Sequence, residues 1–248
     1  MFQGFYNLAS GMITQNKNLD VISNNITNSI TPGFKKDTMT SSTFKEELMA
    51  RSGNLDKSSP QNLNNVAMLR VSTGTVTNFE QGQFEETKNP LDVALATDGF
   101  FQIQTQNGLV YTRNGTFSID DEGYLSLLEV GRVMGTNGPI YLGTDDIKID
   151  DSGTIYFSDD RIAGNISVVD FADRTQLEKA ENGIFTTNAQ GNNVNAKMIQ
   201  GYIEQSNVDS VDEMVSMMES QRALQSAAQV LKIYDQLMSK AVNNIGQI

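Results

Sequence analysis

Near the start of the chain, Phe5, Leu8, Met12, Leu19, Ile22 and Ile26 recur at alternating steps of three and four, with Gln15 the one polar member of the row. Phe5, Met12, Leu19 and Ile26 keep a strict seven-residue repeat, which sets one stripe along a helix and predicts a coiled-coil seam. Thr31-Pro32-Gly33 predicts the stop, because the residue before proline is pushed out of the α region and glycine turns freely. The other end repeats the pattern for longer. Met217, Leu224, Leu231, Met238 and Ile245 recur every seven, with Met214, Gln221, Ala228, Asp235 and Val242 between them. Ser210 and Glu213 form an S-x-x-E capping box at its start, and Gly246 stands where a C-cap glycine would close it. Val230, Tyr234, Leu237 and Ala241 widen the apolar surface beyond a two-helix seam, so this helix is expected to touch more than one neighbour.

Two readings of these stripes stand side by side. In one, the helices pair within a monomer and complete its core. In the other, both ends pair and then pack against other subunits. At ~1.5 Å per residue they reach roughly 40 to 55 Å, more than a small β-domain needs for cover. An amphipathic terminal helix also frays unless something docks it, which favours the second reading. Gly4 and Gly11, seven apart, suggest one small face that lets another helix approach closely.

Between the ends the helical period is lost. Leu91–Leu95, Phe100–Gln104, Leu109–Thr112 and Ile166–Val169 are short and rich in β-branched or aromatic residues. Asn-Gly at positions 107, 114, 137 and 182, with Asp121-Glu122-Gly123 and Asp151-Ser152-Gly153, predicts hairpin turns between them. The expected fold class is therefore α+β, an antiparallel β-rich central domain flanked by long helices that pair as a coiled-coil-like element. Residues 1–32 with 207–248 form the terminal helical domain, 75–206 the β-rich domain. The polar stretch 33–74 is expected to be an extended, partly ordered connector.

Charge and composition remove several functions. A net charge of −12 repels nucleic acid phosphates and anionic lipid headgroups, so neither is an expected partner. The chain has no cysteine and no histidine, which excludes thiol nucleophiles, disulfides and Ser-His-Asp chemistry. No apolar window approaches the ~18 residues of a membrane span, and the first residues carry no basic n-region or cleavage site, so neither insertion nor a cleaved signal is expected. Asp151-Ser152-Gly153 matches the aspartic protease tripeptide, but that chemistry needs a second carboxylate and no second copy exists; a turn explains it. Paired acids at 120–121, 145–146, 150–151 and 159–160 lack calcium-loop spacing and read as solvated turns. No catalytic group, metal site or cofactor is expected.

Ser23-Asn24-Asn25-Ile26-Thr27-Asn28-Ser29-Ile30-Thr31-Pro32-Gly33-Phe34-Lys35 is similar to the A-N-N-x-A-N-x-x-T-x-G-[FY]-K signature of flagellar rod and hook proteins, departing from it at Ser23 and Thr27. Asn89–Ala94, Asp98–Phe101 and Tyr111–Phe117 resemble that family's β-domain entry, and Glu204–Asp209 with Met214–Ala223 its closing segments, with Leu224 in an aromatic position. The chain thus resembles the FlgF/FlgG class of flagellar basal-body rod proteins, nearer the proximal FlgF type by its Asn89-Pro90-Leu91-Asp92 and modest length.

The resemblance implies a structural subunit of the rod, a tubular drive shaft that transmits torque and conducts later subunits. It implies terminal helices lining the tube, β-domains facing outward, and export by the flagellar export apparatus without signal cleavage to the cell envelope outside the cytoplasmic membrane. Implied partners are further copies and other rod and hook proteins. Asn24, Asn25, Thr31, Pro32, Gly33 and Phe34 are then expected to shape the turn that leaves the tube. A soluble module that holds a partner with its heptad helix is the alternative of another class.

Overall fold

The computed structural model describes residues 2–51 and 61–245. Among the described residues the chain is α+β. Helix α1 spans Phe2–Thr27 and helix α2 spans Ser210–Ile245, with antiparallel strands between them. The chain divides into two compact units, one of Met1–Ile26, Asp37–Thr77 and Ser210–Ile248, the other of Thr27–Lys36 and Asn78–Asp209.

The first unit holds both long helices and a hairpin of two long strands, β1 (Asp37–Arg51) and β2 (Gln61–Thr77). Their ladder runs from Asp37 opposite Thr77 to Arg51 opposite Gln61, with register shifts at Thr40/Ser41 and Met49/Ala50. Composition predicts an extended connector over 33–74, so this hairpin is a difference. Its strand signal is carried by Thr38, Thr40, Thr43, Val71, Thr73, Thr75 and Val76, β-branched residues with no apolar alternation. At the Asp37–Thr77 end of the ribbon Thr38, Thr40, Thr75 and Val76 are all exposed, so no buried face imposes an alternation there.

The second unit is built on a ten-stranded antiparallel sheet. After β3 (Phe84–Glu86) and β4 (Val93–Leu95) come β5 (Phe100–Thr105) and β6 (Gly108–Thr112), a hairpin closed by the turn at Gln106-Asn107. β7 (Phe117–Ile119), β8 (Leu125–Leu127) and β9 (Gly131–Gly135) continue the sheet as a meander. Asn-Gly behaves as expected at 107, 137 and 182, each between two paired strands. Asn114-Gly115 does not. It joins β6 to β7, which do not pair, and a Cβ on Gly115 would meet the Val93 carbonyl, so glycine serves there for close approach.

The core on one side of the sheet gathers Val93, Leu95, Phe101, Ile103, Phe117, Leu125 and Val133 with Ile140, Ile155, Ile166 and Met198. A second cluster is aromatic: Phe100, Tyr111, Phe171 and Phe185, with Phe79 packed on it edge to face with Phe100, ring centroids 5.9 Å apart. Strands Met198–Gln200 and Tyr202–Glu204 pair with β4 and β3.

Candidate functional site

The residues singled out for subunit packing lie in the helical unit, where the two helices touch through polar side chains. Asn18 Nδ2 donates to Ser220 Oγ at 3.1 Å, and Asn25 Nδ2 donates to Glu213 Oε2 at 3.2 Å. The first pair lies seven residues back from the second on α1 and seven forward on α2, which makes the helices antiparallel at this contact. Asn25, 1% exposed, also binds both backbone groups of Asp37, donating to its carbonyl at 2.8 Å and accepting from its N–H at 3.0 Å. The side-chain amide thereby fixes the start of β1 against α1.

The face that α1 buries is not centred on its apolar stripe. Ser10, Thr14, Ile22 and Asn25 are buried, with Asn7, Gly11 and Asn18 half-buried among them. At 3.6 residues per turn this row lies roughly a quarter turn from the stripe. Leu8, Met12, Gln15, Leu19 and Ile26 sit on its flank, half-buried, and Phe5 is 40% exposed. Of the expected packing row only Ile22 belongs to both. Ser10 Oγ donates to the Asn7 carbonyl and Thr14 Oγ1 to that of Ser10, whereas the buried Asn7 Oδ1 has no hydrogen-bond partner among the described residues.

On α2 the heptad row Met217, Leu224, Leu231 and Met238 is half-buried, and the side chain of Ile245 lies outside the described residues. The interleaving row is displaced by one residue. Met214, Gln221, Ala228 and Asp235 are exposed, while Glu213 and Ser220 are buried and Ala227 and Tyr234 half-buried. A three-four stripe admits both rows, and apolarity alone favours Met214 over Glu213. Val211, Met214, Val215 and Met218 instead form an apolar patch on the far side of the helix, Met218 being 50% exposed. Farther along, Val230, Ile233 and Leu237 are also exposed.

The signature turn divides differently from expectation. Asn24 is exposed on α1, whereas Thr31 to Lys35 dock into the β-rich unit. Gly33 has φ +70°, and a Cβ there would stand 2.4 Å from the Arg113 and Asn114 backbone. Its N–H donates to the Glu204 carbonyl at 2.7 Å. Phe34 is buried with the Lys179 ammonium 3.6 Å from its ring centroid, and Thr31 and Pro32 are half-buried.

Next to it lies an ion cluster to which the sequence reading gave no role. Glu204, 1% exposed, takes Lys35 Nζ at 2.5 Å and Arg113 Nη1 at 3.3 Å. Its Oε1 also accepts the Gly82 N–H at 3.1 Å, and Lys35 Nζ donates to the Glu80 carbonyl at 2.7 Å. Burial pushes the Lys35 ammonium below its ordinary range, opposed by the adjacent Glu204 carboxylate, and does the same to Arg113. Asn207 completes the junction, accepting the Lys36 N–H at 2.7 Å and donating to the carbonyls of Asn78 and Glu80. The segment after α1 and the segment before α2 are thus bound to each other through two buried charges and a side-chain amide. Lys35, Glu204 and Asn207 all fall inside the quoted motifs; the single charge of the Ser23–Lys35 signature and a glutamate in the Glu204–Asp209 segment were the available signal.

Asp151-Ser152-Gly153 forms a turn between Ile147–Ile149 and Thr154–Phe157, Asp150 Oδ1 accepting the Asp151 N–H, and Asp151 reaches Lys197 at 3.4 Å. Among the described residues no group of acidic side chains is arranged to hold a metal ion, and no helix is long and apolar enough to cross a membrane.

Three family models match the chain in order. Residues 5–35 match the flagella basal body rod protein model, 94–157 the flagellar hook protein FlgE/F/G D1 domain, and 199–245 the flagellar basal body rod FlgEFG protein C-terminal model. The rod protein FlgF of Caulobacter vibrioides is 31% identical over 252 residues, covering 96% of each chain. The chain belongs to the flagellar basal-body rod protein family. FlgG of Agrobacterium fabrum is likewise 31% identical, over 257 residues and 96% of this chain. The hook-basal body complex protein FlhO of Bacillus subtilis is 29% identical over 274 residues and the whole of both chains. Identity of 31% to both FlgF and FlgG does not separate the two rod types. As a rod protein the chain is a structural subunit of the basal body, not an enzyme, and it assembles with other rod and hook proteins.

Proposed function

We propose that this rod subunit polymerises through α1 and α2, which pair as a coiled-coil-like element and pack against neighbouring subunits in the wall of a tube. The β-rich domain faces outward, the tube transmits torque, and its lumen conducts later subunits. The chain reaches the envelope through the flagellar export apparatus without signal cleavage. The observation that carries this reading is the incomplete cover of both helices. Leu8, Met12, Leu19, Leu224 and Leu231 stay half-buried, and the Val211–Met218 patch is exposed on the far side of α2. Contiguous apolar surface on a helix marks an interaction face, and its burial on stacking couples ordering of the ends to assembly.

A chain carrying Leu231→Asp tests it. The β-rich unit should keep its fold, while mass spectrometry of purified hook-basal bodies should find no variant chain and the cells should not swim. Normal incorporation of the variant would refute packing through this row. The unaltered chain found solely in the soluble fraction of motile cells would instead favour a binding module that holds its partner by the heptad helix.

A further inference from the structure

We infer that Asn18–Ser220 and Asn25–Glu213 are register pins, polar pairs that favour one alignment of α1 with α2 over the alignment one heptad out that carries Asn18 to Ala227. The inference rests on the pairing of α1 with α2 proposed above and names the residues that make that pairing specific.

The two hydrogen bonds fall one heptad apart on each helix, so they define a single antiparallel alignment. One further heptad along, the same alignment sets Gly11 opposite Ala227. The structure agrees, since both residues line one cavity of about 190 Å³ together with Leu8, Met12, Thr14 and Leu224. Apolar stripes alone would not fix this alignment. Met217, Leu224, Leu231 and Met238 repeat every seven with nearly equal side chains, so a slide of one heptad returns leucine or methionine to the same place. Registers of such repeats are poorly separated by hydrophobic contact and are commonly fixed by one buried polar residue, at a cost in stability.

Here a slide of seven carries Asn25 from Glu213 to Ser220, and Asn18 from Ser220 to Ala227. Alanine has no side-chain acceptor, and the Glu213 carboxylate, 4% exposed, loses its Asn25 partner. The lost Asn18–Ser220 and Asn25–Glu213 hydrogen bonds together weight the equilibrium against the slipped state by roughly tenfold. Asn25 adds a second constraint, because the same amide is tied to the backbone of Asp37. The pins therefore hold α1, α2 and the start of β1 in one arrangement, where a purely apolar seam would tolerate several.

The chain has no cysteine, so an engineered pair forms the sole possible disulfide within a chain. Gly11→Cys with Ala227→Cys reports the pinned alignment, and Gly11→Cys with Tyr234→Cys the alignment one heptad out. A Cβ at Gly11 meets nothing within 4 Å, so the first substitution fits. Oxidative crosslinking of the full-length purified chain should favour the first pair over the second by about tenfold or more. Replacing all four pins by leucine should bring the ratio toward one, with helicity by circular dichroism kept or raised. A ratio unchanged without the pins would overturn the inference. If neither pair crosslinks in the otherwise unaltered chain, it is the pairing of the helices that fails.

Should the four-leucine chain lose its helicity, a swapped pair decides. Asn25→Asp sets two carboxylates together and should depress the Ala227 crosslink, and adding Glu213→Gln should restore it. Failure of that restoration would refute the pin, because a residue that merely fills space is indifferent to which partner carries the charge.

Discussion

Lys35 and Glu204 meet at 2.5 Å with 2% and 0% of their side chains exposed, although 169 residues separate them in sequence. One follows α1 and the other precedes α2, so a single buried ion pair ties the two ends of the β-rich unit's chain together. Arg113 reaches the same carboxylate from β6's end, and the cluster carries two cations on one buried anion.

That imbalance ranks two substitutions. Glu204→Gln leaves Lys35 and Arg113 facing each other without their shared anion and should destabilise the β-rich unit by about 3–5 kcal/mol. Lys35→Met should cost less, because Arg113 and the Gly82 N–H still satisfy Glu204. Urea unfolding followed by tyrosine circular dichroism gives the order; a larger loss for Lys35→Met would contradict the role given to Arg113.

Gly33 combines a left-handed backbone with a wall of main chain where a Cβ would stand. Gly33→Ala should cost about 1–3 kcal/mol for the backbone conformation alone, with the collision added to it. The midpoint of thermal unfolding measures this. A midpoint within a degree of the unaltered chain's would show that the turn relaxes easily.

The exposed patch on α2 separates assembly from folding. Met218→Asp lies on the face turned away from α1 and should change the stability of the purified chain by no more than ~0.5 kcal/mol, the ordinary range for a surface substitution. The same change should exclude the chain from hook-basal bodies, read by immunoblot of the purified structures. Undiminished incorporation would assign the patch no part in the rod.

Gly11 makes a related prediction with the opposite sign in the monomer. Its Cβ position is open, so Gly11→Ala should stabilise α1 by about 1 kcal/mol through helix propensity. If a neighbouring helix approaches at this face in the rod, swimming speed should fall even as helicity by circular dichroism rises. Unimpaired swimming would leave Gly11 no role in close approach.

Burial raises the Tyr111 phenol above its ordinary value of 10.0. The unfolded chain then releases this proton first, so between the two values the native state binds more protons and stability falls as pH rises. The contribution is complete below about pH 10 and is lost as pH climbs through the raised folded value. In Tyr111→Phe the alkaline slope of the urea midpoint should be shallower. Equal slopes would mean that Tyr111 titrates as an exposed tyrosine does.

Local pattern by itself determined much of this protein. Heptad spacing located α1 and α2, although α1 ends at Thr27, before the Thr31-Pro32-Gly33 expected to stop it, and Asn-Gly pairs at 107, 137 and 182 marked real strand connections. The quoted signatures carried the family. These features depend on residues a few positions apart, where steric and propensity rules act directly. Tertiary structure decided which side of each helix turns inward, and it chose the row of Ser10, Thr14 and Asn25 over the apolar stripe. It also chose Glu213 and Ser220 over Met214 and Gln221, and paired Asp37–Arg51 with Gln61–Thr77 in a stretch of polar composition. The physical reason is common to all three. Amphipathicity shows that a face is apolar, not what will cover it, and a polar side chain is best tolerated in a seam where a partner arrives to satisfy it. For Asn25 and Glu213 that partner lies 188 residues away, and folding alone brings it near.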